Sequence, residues 1–153
     1  MYKNVEFNLK DGKISVDKSI FHDIKEKSIF NQLKLYSEES DDNKLNNNVV
    51  FKMFLFERKF VLNIFFNKET NKIKSFYAVL IDGKSYFKDW GNADYKYMVD
   101  DYNDLLNIFR VKIGRIPDES YECYADYHFD WGIVRINCNR RDFLVGLSIY
   151  ISD

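Results

Sequence analysis

The chain has 153 residues, with 23 Lys and Arg against 24 Asp and Glu, so its formal charge is −1 at pH 7. It carries 14 Phe and 11 Tyr but one Pro and six Gly, which suits a single packed, sheet-rich domain and excludes collagen-like or disordered chains. Near-neutral charge also argues against a general polyanion binder.

In chain order, the start MYKNVEFNLKDGK has no apolar h-region, so no secretory leader is expected and a cytoplasmic location follows as the expectation. VEFNLKDGKISVD (5–17) reads as a hairpin: Val5, Phe7 and Leu9 alternate with polar residues, and Asp11-Gly12 is a favoured two-residue turn. Residues 18–35 place Ile20, Phe21, Ile24, Phe30 and Leu33 at roughly helical spacing and predict one helix or two short ones. SEESDDNKLNNN (37–48) lacks apolar periodicity and reads as a loop.

A strand series follows. VVFKMFLF (49–56) turns at Glu57-Arg58-Lys59 into FVLNIFF (60–66), then KIKSFYAVLI (72–81), then, after Asp82-Gly83, KSYFKDW (84–90). The first two are apolar on both faces, which predicts a central place in the sheet. The longest apolar stretch is broken by Lys52, Glu57, Arg58, Lys59 and Asn63, so no membrane span is expected. Met98, Tyr102, Leu105 and Phe109 then mark a helix over 98–112, stopped by Gly114 and Pro117.

The closing block alternates strictly. Apolar residues occupy the odd positions of 121–129, the even positions of 133–138 and the odd positions of 143–151. A two-residue turn at Asp130-Trp131 or at Trp131-Gly132 puts these sets on one face, giving a three-stranded meander. The fold expected is α+β: one domain, residues 1–153, with a mainly antiparallel sheet of six to eight strands and one or two helices packed on it.

Cys123, His128 and Cys138 could form a metal trio, but strand parity points the cysteines to the core face and His128 away, and no CxxC or HxxxH pair exists. No metal or cofactor is therefore expected, and two cysteines without a disulfide framework suit a reducing compartment. Asp126, His128 and Asp130 share a strand face near Arg135, an arrangement that could serve a small-molecule or nucleotide-binding enzyme. An exposed strand face excludes water poorly, so a cross-strand Asp126–Arg135 or His128–Arg135 pair is favoured there. Phosphate-cradling and serine-nucleophile motifs are absent from the sequence. Aromatics interleaved with lysine in KSFYAVLIDGKSYFK, with Arg135, Arg140 and Arg141, allow an RNA-binding sheet; the acidic segment that follows would repel one.

That segment is the main asymmetry. Residues 89–130 hold 4 Lys and Arg against 10 Asp and Glu. Asp94, Asp100, Asp101 and Asp104 gather at the start of the expected helix, where one or two would be ordinary N-terminal carboxylates. Asp118, Glu119, Glu122, Asp126 and Asp130 then follow, edged by Tyr95, Tyr97, Tyr124 and Trp131. Aromatic anchors with steering carboxylates suit a basic protein partner, through Asp94, Asp100, Asp101, Asp104, Glu122, Tyr124, Asp126, Asp130 and Trp131.

The acidic helix start MVDDYNDLLNIF (98–109) and the closing meander DWGIVRINCNRRDFLVGLSIYIS (130–152), about a third of the chain, resemble the immunity proteins that bacteria pair with contact-dependent and other polymorphic toxins. The resemblance implies tight binding to a cognate toxin domain, often a nuclease, with its active site blocked. It implies no catalytic residues.

Overall fold

A computed structural model describes residues 1–37, 47–86 and 95–152. Within them the strands are β1 (Lys3–Asn8), β2 (Lys13–Val16), β3 (His22–Asp23), β4 (Asn48–Leu55), β5 (Arg58–Phe66), β6 (Ile73–Leu80), β7 (Glu119–Ser120), β8 (Tyr124–Phe129), β9 (Gly132–Asn139) and β10 (Leu144–Ile151). The helices are α1 (Ser28–Lys34), between β3 and β4, and α2 (Tyr95–Ile113), between β6 and β7. The ten strands form one sheet in the order β3-β2-β1-β4-β5-β6-β10-β9-β8-β7. Every neighbouring pair is antiparallel except β1 and β4. The α+β class stands, with more strands than the six to eight expected. The excess includes β3 and β7, two residues each and too short to show periodicity.

The first hairpin forms with Phe7 opposite Ile14, but its loop is Leu9–Gly12 rather than a two-residue Asp-Gly turn, because Asn8 pairs with Lys13. Gly12 takes φ +68, and a Cβ there would sit 2.6 Å from Trp131 Cγ, so glycine serves both the turn and the close approach. The helix expected over 18–35 shrinks to α1. Asp17 and Lys18 both adopt positive φ, the Lys25 amide donates to Asp23 Oδ1, and β3 pairs with β2. Ile20 and Phe21 stay exposed, so their helical spacing was accidental, while Ile24, Ile29, Phe30 and Leu33 are buried.

β4 and β5 are central, as expected. Burial alternates along them, however: Phe60, Leu62 and Ile64 are inside, and Phe65 is exposed on the outer face. Their turn is Phe56-Glu57, both at positive φ, which leaves Arg58 and Lys59 inside β5. Residues 84–86 form a turn rather than the start of a strand, and 87–90 lie outside the described residues, as do 38–46 of the expected loop. Helix α2 buries Met98, Tyr102, Leu105 and Phe109, the set its spacing predicts, and ends where Gly114, at φ +84, donates its amide to Arg110 O at 2.9 Å. No helix among the described residues is long and apolar enough to cross a membrane.

The meander forms in the first of the two registers, with Phe129 opposite Gly132 and the turn at Asp130-Trp131. The next turn spans residues 140–143, since Asn139 pairs with Leu144, and Asn139 Oδ1 accepts from the amides of Arg141 and Asp142. The sheet curls so that its two ends meet across the core. Trp131, at the β8–β9 turn, packs edge-on to Phe7 at 5.6 Å, stacks on Phe129 at 5.7 Å, and donates Nε1–H to Leu9 O at 2.6 Å. The inner face carries the core and α2. The outer face of β8, β9 and β10 is left to other work.

Candidate functional site

Period-two alternation sends Tyr124, Asp126 and His128 of β8, Arg135 and Asn137 of β9, and Ser148 and Tyr150 of β10 to the outer face. The register lines up Glu119, Asp126, Arg135, Ser148 and Tyr77 as one row across five strands. At its centre Arg135 forks onto Asp126, Nε to Oδ1 at 2.7 Å and Nη2 to Oδ2 at 2.8 Å. The guanidinium also lies over Tyr124, 4.1 Å from the ring centroid, and near Tyr150 at 5.2 Å. The hydrogen bonds that Arg135 donates to Asp126 hold it above the usual arginine value, so it is a fixed cation. Asn137 donates to Ser148 Oγ at 2.9 Å beside it.

These side chains floor a shallow groove of about 850 Å³, walled by Tyr77, Tyr121, Tyr124 and Tyr150. Where β8 begins, Arg140 pairs with Glu122 Oε1 at 2.6 Å and its Nε donates to Cys123 Sγ at 2.9 Å. The Arg140 hydrogen bond holds the Glu122 carboxyl below its usual value. Tyr95 Oη donates to Glu122 at 3.3 Å, so the start of α2 and the start of β8 share one surface.

The acidic set predicted from the sequence divides. Asp104, Glu122 and Asp130 are exposed, and Asp100 and Tyr124 are half-buried. Asp94 lies outside the described residues. Asp101, Asp126 and Trp131 are corrections: they are 2 %, 2 % and 5 % exposed and present almost nothing to a partner. Asp101 instead accepts hydrogen bonds from the amides of Lys84 and Ser85 and from the Ser85 hydroxyl, Asp126 holds Arg135, and Trp131 closes the curl. Because α2 begins at Tyr95, Asp100, Asp101 and Asp104 sit beyond its first turn, and helix-end capping does not explain them.

The acid–base cluster loses its centre, because both oxygens of Asp126 are engaged by Arg135. His128 stands opposite Ile133, and no hydrogen bond among the described residues joins it to Asp130. The trio Cys123, His128 and Cys138 is split as parity requires: Cys123 and Cys138 face each other, away from His128. A different trio, Glu119, Asp126 and His128, has ligand atoms within 4.8 Å of one another. There the Arg135 fork already fills Asp126 and would repel a cation. For nucleic acid, Arg135 and Arg140 are both neutralised by carboxylates, leaving Arg141 exposed beside them.

Tyr77, Tyr121 and Tyr150 were missed as a group. Tyr150 and Tyr124 share the outward parity of their strands, but Tyr77 joins them only through the β6–β10 pairing, which spans distant parts of the chain.

At the far end of β8, Asp118 Oδ2 accepts from the His128 amide at 2.7 Å and from Arg115 at 2.7 Å. The His128 amide, then Arg115, hold the Asp118 carboxyl below its usual value. A carboxyl depressed in the folded state adds stability above its unfolded value, about 3.9, and loses it as pH falls through the folded value. Asp118→Ala should therefore lower Tm by a few degrees at pH 7 and by progressively less below about pH 4. A deficit of constant size across acid titration, followed by circular dichroism, would contradict this assignment.

No known protein family, curated protein or solved structure matches the chain.

Proposed function

We propose that the chain is a binding protein without catalytic activity, an immunity-type inhibitor that covers a basic toxin domain with the tyrosine-lined groove of β8, β9 and β10. One observation carries this reading: Tyr124 and Tyr150 stand against a guanidinium that Asp126 holds rigid, and Tyr121 packs on Tyr124 in the same groove. Tyrosine and arginine supply large contact area at low entropic cost and dominate protein-binding hot spots. Tyr121 and Tyr150 remain 56 % and 49 % exposed, which leaves that area available for a partner. Exposed Glu119, Glu122 and Asp104 add negative charge that steers a basic partner and opposes nucleic acid. Arg140 already answers Glu122 locally, so the tyrosines supply affinity and the carboxylates supply on-rate.

The test is a parallel pull-down from the native lysate with the tagged chain and with its Tyr121→Ala/Tyr150→Ala variant. The expected result is one basic protein held at stoichiometry by the parent and reduced at least tenfold by the variant, where each lost hot-spot contact costs about 1–2 kcal/mol. Expressed alone, that protein should arrest growth, and co-expression of this chain should restore it. Equal capture by both proteins would place the interface elsewhere. Co-purification of a small molecule or nucleic acid without a protein would replace the reading.

A further inference from the structure

The two cysteines lie at the end of the groove where β8 begins, both free and both half-buried. The register that pairs Tyr124 with Asn137 continues one step, and the Cys138 amide donates to Cys123 O at 2.9 Å. Directly opposed residues in antiparallel strands hold their Cα atoms about 4.5–5.5 Å apart, within the roughly 4.4–6.8 Å that a disulfide spans. The backbone therefore already has the spacing of the oxidised pair.

Their surroundings differ. The Cys123 sulfur accepts from Arg140 Nε at 2.9 Å, and Glu122 fixes that guanidinium in turn. The Cys138 thiol is directed at Cys123 O at 3.5 Å, and burial, then Cys123, pushes it up, so it holds its proton at neutral pH. Tyr102 adds a second observation. Its hydroxyl is buried with no hydrogen-bond partner among the described residues, and burial, then the charge on Cys138 and Cys123, pushes it up to about 12. A guanidinium hydrogen-bonded to one sulfur leaves no open position there for a metal ion, and two free thiols on opposed backbone positions have the arrangement of a disulfide-forming couple.

We propose that Cys123 and Cys138 are a peroxide-reactive dithiol that closes to a cross-strand disulfide, with Cys123 as the attacking sulfur and Cys138 as the resolving one. Cys123 attacks the hydroperoxide; the O–O bond breaks, an S–O bond forms, and the leaving oxygen departs protonated as alcohol or water. Cys138 then attacks the Cys123 sulfenic sulfur; the S–O bond breaks, and the hydroxyl leaves as water with the Cys138 proton. The net reaction is two thiols plus one hydroperoxide to one disulfide, one alcohol or water, and one water, the two electrons coming from the sulfurs. The Nε–H of Arg140 donates to the attacking sulfur and fixes its position. The proposal concerns the sulfurs alone and holds whatever occupies the groove.

The experiment is titration of the reduced full chain with hydrogen peroxide, quenched by an alkylating reagent and read by intact and peptide mass. The expected result is loss of two hydrogens, no alkylation at either cysteine, one peptide linking Cys123 to Cys138, and a Tm raised by roughly 10 °C. Arg140→Gln should slow the reaction about tenfold and leave the product unchanged. Cys138→Ser should stop at a sulfenic acid on Cys123, captured by dimedone. Two alkylatable thiols after stoichiometric peroxide, linkage only between chains, or direct passage of Cys123 to sulfinic acid would each overturn the proposal. The mass measurement on the unsubstituted chain decides this even if a variant fails to fold.

Discussion

Trp131→Ala should cost about 4 kcal/mol of folding stability. Trp131 is 5 % exposed and fills the seam where the two ends of the curled sheet meet. Its removal opens a cavity between Phe7 and Phe129, and the Nε1–H donated to Leu9 O at 2.6 Å is lost as well. Gly12 lies against the indole with no Cβ, so the β1–β2 loop has nothing to move into the gap. In a domain of this size the loss should lower Tm by roughly 10–15 °C. Trp131→Phe separates the terms: it keeps a ring in the seam and loses the donor, and should cost about half as much. Urea denaturation of both variants measures this, and a Trp131→Ala midpoint within error of the parent would remove the seam from the account of stability.

The second large effect lies at Asp101. The side chain is 2 % exposed, on the buried side of α2 beside Tyr102. It accepts from the Lys84 amide at 3.1 Å, the Ser85 amide at 2.7 Å, and the Ser85 hydroxyl. A carboxylate accepting several hydrogen bonds anchors the turn after β6 to the helix, and Gly83 leaves room for it: a Cβ there would lie 2.7 Å from Asp101 Cγ. Asp101→Ala should cost about 3 kcal/mol, because buried backbone donors lose their acceptor. Asp101→Asn retains one acceptor oxygen and should lose about half of that. Asp104 is exposed in the same helix, and Asp104→Lys should shift Tm by no more than about 1 °C. Charge reversal at Asp101 would therefore report on folding and charge reversal at Asp104 on steering, so only the second tests an acidic docking surface. Thermal melts of the three variants check the separation.

Arg135 shows how far local sequence reading extends. Its pairing with Asp126 was available once the Asp130-Trp131 turn set the register, because a two-residue turn fixes which residues face each other. The Tyr124–Arg135 stack follows from the same register, two pairs along and so on the same face. Tyr77 was not available, since its place beside Ser148 depends on β10 inserting next to β6, a pairing between segments some seventy residues apart. No local pattern encodes that choice. It is settled by which apolar faces can close the core together.

By itself, the sequence determined the alternating strands of the meander, the buried stripe of α2 with its Gly114 stop, and the central position of β4 and β5, because each follows from local periodicity and turn chemistry. Only the tertiary structure decided that Asp101, Asp126 and Trp131 are buried. A polar or aromatic residue at an outward or turn position is buried only when a distant element covers it. Here those elements are the turn after β6, Arg135 with its flanking tyrosines, and the β1–β2 loop. The same fold that covers those three leaves the tyrosine groove open and sets the two cysteines at its end. Charge and composition along the chain report what a segment contains, whereas exposure depends on what folds against it.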